Sequence, residues 1–527
     1  MSTLRFVAGL VVAGMLATAA AAQDSTPPAA GTAAEQSQED IVAHADRLIA
    51  EGSSAEGLNK KELRKRARAV GALLKLKKLD RDRTRQLRAI LKETRQQVKA
   101  AVDKEYVQKP AGADGETDSA DDGGGNGGPQ VPDVALQDPG DLPNPPCAPN
   151  AGVVNVRDFG AAGSGAVNDT RALSNAMACL GTLLDNAGEA QLYIPAGVYA
   201  ITGPLELKQS GKRPWKRLVI RGDSTFASAI QSRSTEGLFR LSFTQQVQVT
   251  VRDIKLVANV PAAGTALAVS MPAKQLEFSS LTVNNVIATG RETGNRDYFS
   301  NGVVGEGLNK PVFRDYFFRR VGTKPAGDSI NAPPKGTSCI TLRGGYGAEI
   351  VGQSRCHYTN IGVDVAQAGG EVHINARSFG VYVMTGVKID GGALRIEATH
   401  FKPIAWAIDA RHVSSLKLTE ALLLNEDKAT DELRGAVRVS DSTNISIRNN
   451  LFWRTTRNQQ RTTIAIGKGV KDAVIANNAF NEGGTAVDVA EGSSGIKVTN
   501  NRFLDVARKV GGAESAVTFR DIAANAQ

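Results

Sequence analysis

Asn155-Val-Arg-Asp-Phe-Gly-Ala-Ala-Gly-Ser-Gly-Ala-Val-Asn-Asp-Thr170, answered further on by Leu192-Tyr-Ile-Pro-Ala-Gly-Val-Tyr199, is the stretch that decides the fold. It reads as an extended entry and a Gly-rich turn, then a helix starting near Asp169/Thr170, then a strand ending at the Pro-Ala-Gly turn. Asp and Thr suit a helix start because their side-chain oxygens accept hydrogen bonds from free backbone N–H groups.

Downstream, two short strands separated by a turn recur. The first strand reads Val363-Asp-Val365, Val387-Lys-Ile389, Trp406-Ala-Ile408, Val437-Arg-Val439, Ile464-Ala-Ile466 and Val487-Asp-Val489. The second reads Val372-His-Ile374, Leu394-Arg-Ile396, Leu416-Lys-Leu418, Ile445-Ser-Ile447, Ala473-Val-Ile475 and Ile496-Lys-Val498. The outer residues of each triplet mostly point inward and the middle one outward, as strand alternation requires. Asn449-Asn-Leu-Phe452, Asn477-Asn-Ala-Phe480 and Asn500-Asn-Arg-Phe503 repeat in the last coils, and Thr282-Val-Asn-Asn285 looks like an earlier member. A repeat of this length, in which no single unit can bury its apolar face alone, marks a solenoid. The Asn amides are expected to pair along the stack while the Phe rings stack inside it.

With these repeats, the opening block resembles the N-terminal cap of the pectate-lyase-like right-handed β-helix proteins. That superfamily includes rhamnogalacturonases, polysaccharide lyases, epimerases and phage tailspikes. Asn168 stands where the family pattern has a second Asp. The resemblance implies an all-β fold: a right-handed parallel β-helix with an N-terminal cap helix, over residues 151–527.

Ahead of it, Arg5 precedes an apolar run from Phe6 to Leu16 and an Ala-rich stretch before Gln23, the layout of a signal peptide over residues 1–22. Residues 23–38 read as a flexible lead-in and residues 39–109 as a small basic α-helical module. Between Lys60 and Lys104 there are 17 basic and 5 acidic residues. The Gly/Pro-rich linker, residues 110–150, carries eight acidic residues and no basic ones, and reads as disordered. Residues 151–527 hold 43 basic and 33 acidic side chains. An exported basic domain attracts polyanions, so the expected partner is an acidic polysaccharide rather than nucleic acid. No later stretch is long and apolar enough to span a bilayer, so no membrane insertion is expected. The expected location is secreted or periplasmic; the oligomeric state stays open.

Four cysteines pair in three ways. Proximity favours Cys339 with Cys356 and Cys147 with Cys179, with four buried thiols as the alternative.

In relatives that act on polysaccharides the catalytic groups lie on or just before strands placed like the first triplets. The resemblance therefore points to Asp364, Lys388, Asp390, Trp406, Asp409, Arg411, Arg438 and Asp488. Gly386-Val-Lys-Ile-Asp390 looks like the Gly-Val-Arg-Ile-Lys strand of pectin hydrolases with its charges altered. The Asp-Asp pair and the Gly-His-Gly of that hydrolase pattern have no counterpart here. β-Elimination or C5 epimerisation of a uronate needs a cation to neutralise the carboxylate and a base for the C5 proton. Lys388 and Arg438 are the candidates, with Asp364 and Asp390 positioning them or holding a Ca²⁺. Substrate-binding candidates are Asp409, Arg411 and Trp406, joined by the strip His373, Arg395 and Lys417. The expectation is a lyase or epimerase. A non-catalytic polysaccharide-binding β-helix is the alternative, and a glycoside hydrolase of the rhamnogalacturonase type the third reading.

Overall fold

The computed structural model describes residues 135–140, 147 and 152–520, except 212, 292–296, 320–335, 378, 426–434 and 455–460. The signal segment, the lead-in, the helical module and most of the linker lie outside the described residues.

The strands pair in parallel with the next coil rather than with their chain neighbours, and this makes three sheets instead of the two legible in the sequence. The first sheet runs from Leu205–Lys208 through Ser338–Arg343 and Ile361–Ala366 to the later coils. The second contains Glu189–Ile194, Arg217–Gly222, Gly369–Ala376 and Ala393–Glu397. The third contains Gly197–Ile201, Ser228–Ser232, Arg355–His357 and Leu451–Arg454. The chain is a parallel β-helix whose Val, Ile and Leu side chains fill one continuous core.

The register of the second strands is as read: Val372, Leu394, Leu416, Ile445, Ala473 and Ile496 lie opposite one another in turn. The first strands agree except in one coil. Ile408-Asp-Ala410, not Trp406-Ala-Ile408, lies opposite Val387-Lys-Ile389. The uniformly buried run Ile404–Ala410 offers no alternation from which to set the register.

The helix α1, Thr170–Ala187, packs against Glu189–Ile194 and Leu205–Lys208 and ends at Gly188, whose φ of 76° closes it. Asp169 does not cap it. Its carboxylate turns back to accept from the Ala162 and Gly163 amides at 2.6 and 3.3 Å, while Asn168 accepts from the Thr170 amide at 3.2 Å. The disulfides join Cys147 to Cys179 on α1, and Cys339 to Cys356.

At the corner between the second and third sheets, Asn449, Asn477 and Asn500 adopt φ of 59°, 57° and 55°. Their neighbours Asn450, Asn478 and Asn501 are buried. Asn450 Nδ2 donates to Asn478 Oδ1, and Asn478 Nδ2 to Asn501 Oδ1, each at 3.0 Å. Phe452, Phe480 and Phe503 stack at centroid distances of 4.9 and 5.3 Å.

The region 291–338, in which the sequence shows none of the repeated triplets, contains a regular coil among its described residues. Asn301–Glu306 pairs with Thr265–Ser270, and Val312–Arg319 with Leu281–Gly290. Phe299, Phe313, Tyr316 and Phe318 fill its core.

Candidate functional site

Alternation along the first sheet places two rows of side chains outward, one coil apart at about 4.8 Å. One row is Thr341, Asp364, Lys388, Asp409, Arg438, Ala465 and Asp488. The other is Arg343, Ala366, Asp390, Arg411 and Ser440. Seven of the sequence candidates thus share one face: Asp364, Lys388, Asp390, Asp409, Arg411, Arg438 and Asp488. His373, Arg395 and Lys417 line up equally well, but on the second sheet.

Most of the first-face charges are already paired. Arg343 Nη2 lies 2.5 Å from Asp364 Oδ2 and its Nη1 donates to the Asp364 carbonyl at 2.9 Å. Arg438 grips Asp409 with two bonds, Nε to Oδ1 at 3.0 Å and Nη2 to Oδ2 at 2.5 Å, with Arg411 3.6 Å away. Asp409 is 5% exposed beneath them, so this fork holds a carboxylate that water barely reaches. The Arg438 guanidinium also lies over the Trp406 ring, 5.2 Å from its centroid. Trp406 is buried, and a Cβ at Gly435 would run into its ring. Its indole is therefore a floor for Arg438 and offers no open surface for a sugar.

Two groups remain accessible. Lys388 is exposed and makes no ion pair among the described residues, although it sits between Asp364 and Asp409. Asp390, two residues on along the same strand, meets His412: Nδ1 to Oδ1 is 2.7 Å, with both side chains more than half exposed. His412 stands just past the strand end at φ 51°. No sequence motif singles it out, because a lone His after a strand carries no pattern. With Nδ1–H given to Asp390, neutral His412 keeps the Nε2 lone pair for an outside proton.

On the second sheet, Glu397 gathers both neighbouring side chains. Arg395 donates to it at 2.8 and 2.6 Å, and His373 Nε2 is 3.2 Å away. The Arg395 hydrogen bonds hold the Glu397 carboxyl below its ordinary range. Lys417 is exposed on the next coil. The strip is cationic mainly at Lys417.

The donors do not suit calcium. Asp364 and Asp390 belong to different rows and are engaged by Arg343 and His412, and among the described residues no group of three or more His, Cys, Asp or Glu gathers. Calcium wants several oxygens at once. A shallow recess lies beside Leu308, Leu342, Arg343 and Gln367.

Residues 153–285 match the family described as "Rhamnogalacturonase A/epimerase, pectate lyase-like". This segment is similar to that family. No curated protein sequence matches the chain. Among solved structures, the surface adhesin PfbA of Streptococcus pneumoniae is 14% identical with a TM-score of 0.44, over 68% of this chain and 93% of that one. The A-module of mannuronan C-5 epimerase AlgE6 from Azotobacter vinelandii is 14% identical with a TM-score of 0.34, over 69% and 99%. An exopolygalacturonase of Thermotoga maritima is 13% identical with a TM-score of 0.29, over 74% and 92%. The matched segment holds the first coils, and the first-face residues singled out above lie beyond it.

Proposed function

We propose that this protein is exported and acts on an acidic polysaccharide along its first face, by β-elimination or C5 epimerisation. The observation that carries the reading is the His412–Asp390 pair beside the Lys388 ammonium, which has no ion-pair partner among the described residues. Lys388 neutralises a uronate carboxylate and so acidifies the C5 proton. His412 Nε2 takes that proton while Asp390 fixes the ring. In elimination the C5–H pair becomes the C4=C5 double bond, the C4–O4 bond breaks, and O4 leaves with a proton from solvent. In epimerisation a proton returns to C5 on the opposite side. Arg438, held by two bonds to the buried Asp409 and permanently protonated, is unsuited to be a base.

Export rests on the signal-like segment 1–22, with the two disulfides suited to an oxidising compartment. No described helix is long and apolar enough to cross a membrane. The helical module 39–109 and the linker 110–150 complete the proposed domain plan.

The non-catalytic binding reading is favoured by one feature, the internal pairing of Asp364 and Asp409. Incubation with polygalacturonate, alginate and other polyuronates decides between the readings. Growth of the ultraviolet band of an unsaturated uronate, lost in Lys388→Ala and His412→Ala, is expected for a lyase. Exchange of the C5 hydrogen with deuterium from solvent, without that band, marks an epimerase. Neither signal, with the polymers still bound, would replace the enzyme by the binder.

A further inference from the structure

The second sheet carries a row that the sequence repeats did not disclose. Tyr193, Arg221, Arg252, Asn284 and Arg314 lie opposite one another on five successive coils. Arg252 and Arg314 are exposed, and the others half-buried. The parallel row beside them, Gln191, Val219, Thr250, Thr282 and Val312, is uncharged. The acids at the adjoining corner are spent on local bonds. Asp223 accepts from the Tyr193 hydroxyl at 2.7 Å and from the Ala196 amide at 2.8 Å. Asp253 accepts from Asn285 Nδ2 at 2.8 Å, and Asp315 from the Gln353 amide at 2.7 Å. Arg252 Nη1 donates to Asp253 at 3.3 Å, and Arg221 and Arg314 have no carboxylate partner among the described residues.

We propose that this row is an anchoring site for a linear acidic polysaccharide lying along the solenoid axis, separate from the first face. Guanidinium groups spaced by whole coils present forked donors that match carboxylates, and the uncharged row alongside gives sugar rings a neutral bed. The first-face arginines cannot do this, because Arg343 and Arg438 already hold Asp364 and Asp409. His373 and Arg395 are likewise committed to Glu397. Nucleic acid fits less well. Single strands need open aromatic faces for base stacking, and the Tyr193 ring is covered by Arg221 at 4.3 Å. The anchoring site does not depend on the chemistry proposed for the first face.

The test is retention of the full-length protein on immobilised polygalacturonate across a salt gradient. The triple variant Arg221→Gln/Arg252→Gln/Arg314→Gln is compared with Arg395→Gln, whose guanidinium is committed to Glu397. A drop in affinity of about tenfold or more in the triple variant alone, with circular dichroism unchanged, is expected. Should the triple variant fail to fold, the exposed single change Arg314→Gln is read in its place, with at least a twofold drop expected. Unchanged retention, an equal loss in Arg395→Gln, or tighter binding of single-stranded DNA than of polyuronate would overturn the proposal.

Discussion

His357 is the residue whose chemistry departs most from the ordinary. It is 4% exposed, its Nε2 has no hydrogen-bond partner, and the ring meets Phe317 edge-on at 5.1 Å. Burial, aided by Arg319 and Arg355, pushes the imidazole from 6.5 down to about 3. The unfolded chain therefore takes up a proton below pH 6.5 that the folded chain refuses until about pH 3. Its contribution is complete above pH 6.5 and falls in that window by up to about 1.4 kcal/mol per pH unit. Urea midpoints measured from pH 7 to pH 4 should drop steadily, and His357→Leu should flatten the drop. An unchanged slope in the variant would assign the acid sensitivity elsewhere. A second contrast concerns Arg438 and Lys388. Arg438→Ala strips two bonds from the buried Asp409 and should cost about 2 kcal/mol, whereas the exposed Lys388→Ala should stay within about 0.5 kcal/mol. Equal costs in equilibrium unfolding would refute the assignment of Arg438 to structure and Lys388 to substrate.

Among the elements, the corner built on paired asparagines carries the sharpest expectation. Asn478 Oδ1 receives both the amide and Nδ2 of Asn450, and its Nδ2 serves Ile447 and Asn501. Asn478→Ala orphans several buried groups and should cost about 3 kcal/mol. Asn477→Gly should be nearly neutral, since only its φ of 57° matters there. Thermal scans of the two variants separate the roles, and similar losses would sink the distinction. This corner was readable because side-chain chemistry repeats at it. The third sheet was not, since its outward positions at Gln231, Val257, Thr289 and His357 are also buried and blur the alternation. The coil at 301–319 escaped for a related reason. Phe313, Tyr316 and Phe318 replace the small β-branched pairs that mark other coils. Of the candidate site, the first-face row was legible from the triplets. The ion pairs that disable Asp364 and Asp409, and the partnership of Asp390 with His412, depend on neighbours 21 to 29 residues away.

At the scale of the whole molecule, each coil meets only its neighbours, so stability is close to a sum of coil and interface contributions. The N-terminal coils are closed by α1, which Trp215 binds through Asp185 at 2.8 Å. At the other end the strand Arg502–Gly512 is studded with Arg502, Asp505, Arg508 and Lys509, charges that discourage edge-to-edge addition of foreign strands. The asparagine chain has a further consequence for how such a protein changes length. Asn450 and Asn478 each give Nδ2 both to the next asparagine's Oδ1 and to a carbonyl of the coil before, so each rung is interchangeable with the next. Duplicating residues 477–499 supplies one complete rung, and the lengthened protein should fold with a melting temperature near that of the parent. Removing a single residue from Ile475 to Ile496 instead would turn a stretch of sheet inside out. Loss of folding in the duplicated chain would contradict this interchangeability. Growth and shortening by whole coils are thus open to this architecture during descent, while changes of one residue within a strand are not.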